Sequence, residues 1–167
     1  ELAIVHNGII ENYAALKDRL IKGGHVFRSK TDTEVVAHLI EEHAKTHAIS
    51  EAFRRALKEV RGSYAICLIA AREPDTLYGA RSGSPLIVGG GKGESLFASD
   101  ATAILGRTRR VVYLNDFEVV ELTRSGPRFS TLQGKPVRRA PTTITWDISA
   151  AQKGGYPRFM LKEIHEQ

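Results

Sequence analysis

The spacing of the apolar residues changes at Gly62, and this change limits the chain to a fold that combines helices with sheet. Before Gly62, apolar residues recur every three or four positions, as they do on the buried face of a helix. After it, Tyr64–Ala71 is a continuous apolar run, which a sheet face exposed to water would interrupt with polar residues. The run predicts a central strand, covered on both of its faces.

The first third of the chain is predicted to be rich in helix. Leu2–Val5 is expected to form a short strand that enters a tight turn at His6–Gly8, and residues 25–28 a second short strand. Three helices are predicted, and their N-terminal signals are Asn12, Thr31–Glu34 and Ser50.

The chain after Tyr64–Ala71 is predicted to form short strands, separated by turns rich in Gly, Ser and Pro. Antiparallel hairpins are the simplest connections between them. The strands are expected at Thr76–Arg81, Leu86–Gly90, Ser95–Ala98, Arg110–Leu114, Glu118–Thr123 and Pro127–Thr131, with a short helix at Ala101–Leu105. The fold class is therefore α+β. Residues 1–140 are expected to form one domain and residues 141–167, where the periodicity weakens, a wrapping or connecting segment.

Composition excludes several classes of protein. No stretch approaches the roughly 18 apolar residues of a membrane span, and no signal peptide is visible at the start, so a soluble, cytoplasmic protein without a membrane partner is expected. The formal net charge of +5 is spread along the chain without interleaved aromatic residues, which argues against a nucleic-acid partner.

The chain contains one cysteine, Cys67, so an intrachain disulfide is impossible and a reducing compartment fits. Cys67 lies inside the apolar run, which predicts a core residue with a raised pKa and not a catalytic nucleophile. His38, His43 and His47 lie on or just beyond one predicted helix, but their spacing does not bring three ligands together. We interpret them as solvated surface residues and expect neither a metal nor a cofactor.

His6-Asn7-Gly8 has two interpretations. An Asn side-chain amide and a Gly backbone N–H directed at one oxygen form an oxyanion hole. Alternatively, Asn-Gly makes a turn with positive φ, which the three residues by themselves favour.

Thr31-Asp32-Thr33-Glu34 matches a capping box, in which Thr31 and Glu34 cap the helix reciprocally. The capping box does not require Asp32. Its carboxylate would lie near a helix N-terminus and, if a pocket lies there, would hold a substrate ammonium group.

The ordered segments HNGIIEN, TDTEVVAHLI, GSYAICLI, ARSGSPLIVG and FASDATAIL resemble the glutamine amidotransferases with an N-terminal nucleophile, over nearly the whole chain. Within that superfamily, Arg81–Leu86, Ala98–Asp100 and Met160–Gln167 are similar to the glucosamine-6-phosphate synthases. The resemblance implies a four-layer αββα sandwich of the N-terminal-nucleophile hydrolase type.

The resemblance also implies roles for residues. Asn7 and Gly8 would form the oxyanion hole for glutamine hydrolysis, and Asp32 would bind the α-ammonium group of glutamine. The nucleophilic cysteine of the family, and an Arg-Trp segment that holds the glutamine carboxylate, have no counterpart in these residues. We therefore expect a chain truncated at both ends and inactive by itself.

In the complete family protein, ammonia passes to a sugar-phosphate isomerase domain that makes glucosamine-6-phosphate from fructose-6-phosphate, and the parent is expected to be a homo-oligomer. Two alternatives remain open. One is a non-catalytic amidotransferase-like module that binds a partner or small molecule. The other is the glutaminase domain of a related enzyme, such as the amidotransferase of purine synthesis.

Overall fold

The computed structural model describes residues 1–91 and 93–146 of the chain. In this part the chain forms three α-helices, ten strands and one short 3-10 helix. Their order is β1 (Leu2–Ile10), α1 (Tyr13–Lys22), α2 (Thr33–Ala44), α3 (Ile49–Glu59), β2 (Gly62–Ala70), β3 (Leu77–Ser82), β4 (Ile87–Gly90), β5 (Ser95–Ala98), the 3-10 helix (Ala101–Ala103), β6 (Arg110–Tyr113), β7 (Glu118–Thr123), β8 (Gly126–Thr131), β9 (Pro136–Val137) and β10 (Thr142–Thr143).

The strands form two antiparallel sheets. The first has the order β1-β2-β3-β7-β8-β9 and the second β10-β6-β4-β5. Hairpins join β2 to β3 and β4 to β5, as predicted. The connection between β3 and β4 is different, because the chain crosses there from the first sheet to the second.

Two apolar layers enclose the first sheet. Alternate residues of β2 point to opposite faces, so that Tyr64 and Ile66 pack with the three helices while Ala65 packs with the second sheet. On the helix side, Phe53 of α3 meets Tyr78 of β3 with ring centroids 6.1 Å apart. The predicted central strand is therefore confirmed.

The second sheet is covered on its outer face by residues of and around the 3-10 helix. Ala101, Ile104 and Leu105 pack there with Val111 of β6 and with Ile144. The architecture agrees with the predicted sandwich of two antiparallel sheets with helical structure outside. No helix within the described residues is long and apolar enough to cross a membrane.

Several predictions of local structure are wrong. Ser50 does not cap the third helix, since α3 begins at Ile49 after the N-cap Ala48. The first strand does not end at Val5 but continues through Ile10, because the whole segment pairs with β2. Residues 25–28 form no strand. There is no capping box, since α2 begins at Thr33 and the Glu34 carboxylate instead accepts hydrogen bonds from the backbone N–H groups of Arg28 and Ser29.

The proposed boundary near residue 140 remains a prediction. Thr142–Thr143 pairs with β6 and so contributes one short strand to the second sheet. Residues 147–167, including the segment Met160–Gln167 used in the family resemblance, lie outside the described residues.

Candidate functional site

His6-Asn7-Gly8 lies within β1 and not in a turn. Asn7 is paired with Ala65 of β2 and Gly8 with Tyr64, in one unbroken antiparallel register. The turn interpretation of this segment is therefore wrong.

Gly8 occupies a position that excludes a side chain. Its φ is +132°, and a Cβ atom added there would lie 2.1 Å from the carbonyl oxygen of Ser63. Only glycine combines this backbone conformation with so close an approach of the neighbouring strand.

The backbone N–H of Gly8 faces the open edge of the first sheet. In an antiparallel strand, successive residues direct their backbone groups to opposite sides. Glu11 donates its N–H inward, to Arg61 O at 2.9 Å, whereas Ile10 donates outward, to the Asp32 carboxylate. The alternation places the N–H of Gly8 on the same outward edge as that of Ile10.

The Asn7 side chain is exposed and borders a cavity of about 240 Å³. The cavity lies where β1 and β2 approach β5, and Cys67, Phe97 and Ser99 also line it. Within residues 1–91 and 93–146, no hydrogen bond occupies the Asn7 amide, which leaves it available to a ligand beside the Gly8 N–H.

A backbone hydrogen bond from β1 holds the Asp32 side chain at the same edge of the sheet, and this side chain does not cap α2. Its Oδ2 accepts a hydrogen bond from the backbone N–H of Ile10 at 2.8 Å, and its side chain makes no capping bond. A second contact joins the same elements, since Nδ1 of His6 lies 3.0 Å from Oγ1 of Thr33. No sequence pattern predicts the contact of His6 with Thr33, because no local pattern relates residues so far apart in the chain.

Cys67 is half-buried next to this cavity, and its pKa is raised to about 12 by burial. It packs against the apolar layer between the two sheets. The predicted rise in pKa is confirmed, although the side chain is less completely enclosed than expected. A thiol with so high a pKa carries almost no thiolate at neutral pH.

The three histidines interpreted as solvated are each partly buried and hydrogen-bonded. Nε2 of His43 lies 2.6 Å from a carboxylate oxygen of Glu59, and Nδ1 of His47 lies 3.1 Å from His43 O. His38 lies next to His25, a neighbour that the spacing of the histidines did not predict. Among the described residues, His25, His38 and Glu41 are the group whose ligand atoms lie close enough together for a metal ion.

Comparison with known proteins gives concordant matches. The glutamine-fructose-6-phosphate aminotransferase (isomerizing) of Thermus thermophilus is 51% identical over 166 residues, which are 99% of this chain and 27% of that protein. The protein of the same name from Methanosarcina acetivorans is 49% identical over 176 residues, covering 100% of this chain and 28% of that protein. The chain thus spans little more than a quarter of the length of these relatives.

Solved structures show the same fold. The glutamine phosphoribosylpyrophosphate amidotransferase of B. subtilis, in complex with ADP and GMP, has a TM-score of 0.68 and 26% identity, over 78% of this chain and 29% of that one. A glutamine aminotransferase class-II domain protein from Silicibacter pomeroyi, 15% identical, has a TM-score of 0.55 over 78% of this chain and 66% of its own, a likeness of fold alone. Residues 1–106 match the sequence profile of the glutamine amidotransferase domain, and the chain belongs to this family.

Proposed function

We propose that this chain is the larger part of the glutamine-hydrolysing domain of an enzyme that makes glucosamine-6-phosphate from fructose-6-phosphate and glutamine. The observation that carries the proposal is that Asn7, the Gly8 N–H and Asp32 lie along the same open edge of the first sheet, at β1. Relatives about half identical over nearly the whole chain carry the name of this activity and support the choice of acceptor.

Asn7 and Gly8 form the oxyanion hole in this proposal. When a nucleophile attacks the side-chain amide of glutamine, negative charge develops on the amide oxygen. The Asn7 amide and the Gly8 N–H would donate hydrogen bonds to that oxygen, and the pairing of β1 with β2 fixes the backbone of both residues before substrate arrives. Fixed donors of this kind stabilise the transition state without reorganisation.

Asp32 binds the other end of the substrate. Ile10 occupies Oδ2 of Asp32, and Oδ1 remains available to the α-ammonium group of glutamine. Along a strand, the N–H groups of Gly8 and Ile10 lie about 7 Å apart. The α-nitrogen and amide oxygen of an extended glutamine are separated by about 6 Å, so one molecule bridges the two positions with hydrogen bonds at both ends.

The nucleophile of the proposed reaction is not Cys67. Burial raises the pKa of this thiol to about 12, and it packs in the layer between the sheets. The resemblance assigns the nucleophile to a cysteine that has no counterpart in these residues, so we propose that the 167 residues alone do not hydrolyse glutamine. The sugar-phosphate chemistry would lie in the remaining three quarters of the relatives' length.

The experiment is a pair of substitutions in the full-length protein that contains this chain. Asn7→Ala should lower kcat for glutamine hydrolysis by a hundredfold or more, since loss of one oxyanion donor costs on the order of 3 kcal/mol. Asp32→Asn should mainly raise KM for glutamine, because its contact is alike in the ground and transition states. Asn115→Ala, at an exposed asparagine in the turn before β7, is the matched control.

Ammonia supplied in place of glutamine separates a local defect from a global one. Both variants should make glucosamine-6-phosphate from ammonia at the wild-type rate. A kcat within twofold of wild type for Asn7→Ala would remove the oxyanion role, and a normal KM for Asp32→Asn would remove Asp32 from the site.

The compound that accepts the ammonia is tested separately. A purine-type amidotransferase remains the alternative, because the solved structure of such an enzyme matches this chain. Fructose-6-phosphate, and not phosphoribosylpyrophosphate, should be aminated. We also propose a homo-oligomeric parent in the cytoplasm, because the one cysteine of these 167 residues fits a reducing compartment. Light scattering on the purified full-length protein tests the oligomer.

A further inference from the structure

His25 and His38 form a close pair away from the Asn7 cavity. His25 lies in the segment between α1 and α2, and His38 lies in α2. Their Nδ1 atoms are 3.1 Å apart, and only 10% and 15% of the two side chains is exposed. Oε2 of Glu41, one turn further along α2, lies 3.1 Å from Nδ1 of His38.

A carboxylate stands behind each ring. Nε2 of His25 lies 2.8 Å from Oε2 of Glu42, and Nε2 of His38 lies 3.6 Å from Oε1 of Glu34. Both carboxylates lie on the Nε2 side of the rings, opposite the two Nδ1 atoms.

The two Nδ1 atoms and the Glu41 carboxylate face one another. A neutral imidazole carries one proton, on Nδ1 or on Nε2, and its other nitrogen is an acceptor. Glu42 is at hydrogen-bond distance from Nε2 of His25, whereas Glu34 is 3.6 Å from Nε2 of His38. With both protons on Nε2, three acceptors converge, and they form a donor set that binds a cation.

We propose that Nδ1 of His25, Nδ1 of His38 and Oε2 of Glu41 bind one divalent transition-metal ion, with Zn²⁺ the best match to two imidazoles and a carboxylate. The three atoms all lie within 4.8 Å of one another. Zinc at its usual bond lengths of about 2.0–2.2 Å holds tetrahedral ligands roughly 3.3 Å apart. The Glu42 carboxylate behind the His25 ring would fix the tautomer of His25 in the manner typical of zinc sites.

The ion would act as a structural clamp. Residues 24–32 contain neither helix nor strand, and they lead directly to Asp32 at the start of α2. Coordination of one ion by His25 and His38 would fasten this segment to α2, next to the hydrogen bonds that Glu34 accepts from Arg28 and Ser29. Metal binding should therefore raise the stability of the fold.

The test is metal titration of the full chain after chelator treatment. Calorimetry with Zn²⁺ should give one equivalent per chain, and the melting temperature should rise by several degrees. Co²⁺ in the same site should give the visible absorption of a four-coordinate ion. His25→Gln and His38→Gln should each weaken Zn²⁺ binding by about a hundredfold or more, whereas His47→Gln, a histidine outside the group, should leave it unchanged.

A substitution of Glu41, the exposed ligand, tests the site even if the histidine variants fail to fold. Half of the Glu41 side chain is exposed, so Glu41→Gln should keep the metal-free melting temperature and still lose about tenfold or more in affinity for Zn²⁺. In histidine ¹⁵N spectra of the zinc-bound chain, the protons of His25 and His38 should both be on Nε2.

Other outcomes would overturn the proposal. Binding that is equally weak in wild type and His25→Gln would show only adventitious surface sites. A His25–His38 pair whose spectrum responds to acid but not to Zn²⁺ would show that a proton supplies the central charge.

Discussion

At the residue scale, Cys67 shows how burial sets chemical behaviour. Its pKa is raised from 9.0 to about 12 by burial, so the reactive thiolate is about a thousandfold scarcer than in an exposed cysteine at the same pH. We expect iodoacetamide to alkylate Cys67 in the folded chain at least on the order of a hundredfold more slowly than in the urea-unfolded chain at pH 8, as followed by mass spectrometry. Rapid alkylation of the folded chain, or glutamate release that Cys67→Ala abolishes, would identify Cys67 as an activated nucleophile.

At the scale of elements, an ion pair between Arg139 and the buried carboxylate of Glu118 fastens the residues after β9 to the start of β7. The side chain of Glu118 is only 7% exposed, and its Oε2 accepts hydrogen bonds from Asn115 N at 2.9 Å and from Arg139 Nε at 3.2 Å. Arg139→Gln would leave the buried carboxylate without its cation, so the free energy of unfolding should fall by about 2 kcal/mol or more.

The neighbouring arginine is the matched control for that substitution. Arg138 is exposed, and Arg138→Gln should change the free energy of unfolding by no more than about 0.5 kcal/mol. Urea denaturation of both variants measures the difference. Equal stabilities would mean that the Glu118–Arg139 contact contributes nothing to holding this segment.

At the scale of the whole molecule, the open edge at β1 should govern association. β1 ends the first sheet, and beside its edge Val5 is 68% and Ile9 67% exposed. Because an open edge with apolar neighbours is a template for pairing, we expect the 167-residue chain to self-associate in sedimentation velocity experiments.

One lysine on that edge should suppress the association. Val5→Lys places a charge beside β1, whereas Val26→Lys, at a valine 75% exposed between α1 and α2, should leave the association unchanged. A wild-type chain that remains monomeric at high concentration would show that the edge is protected in solution.

The sequence by itself determined which segments are helix and which are strand, wherever buried residues recur at regular spacing along the chain. β5 and β7 have the predicted bounds, and α1 begins after its predicted N-cap, Asn12. Periodicity records which side chains are buried, and this information is local. The sequence also indicated Asn7, Gly8 and Asp32 as candidate site residues, through the chemistry of their motifs and the family resemblance.

The tertiary structure alone decided how these segments meet. Asn-Gly prefers a turn locally, but pairing with β2, more than fifty residues away, keeps the segment extended. The contact of Asp32 with Ile10 and the approach of His25 to His38 also join residues that no local pattern relates. Such contacts arise from the packing of whole elements, whose gain in burial and hydrogen bonding outweighs local preference and leaves no periodic signal in the sequence.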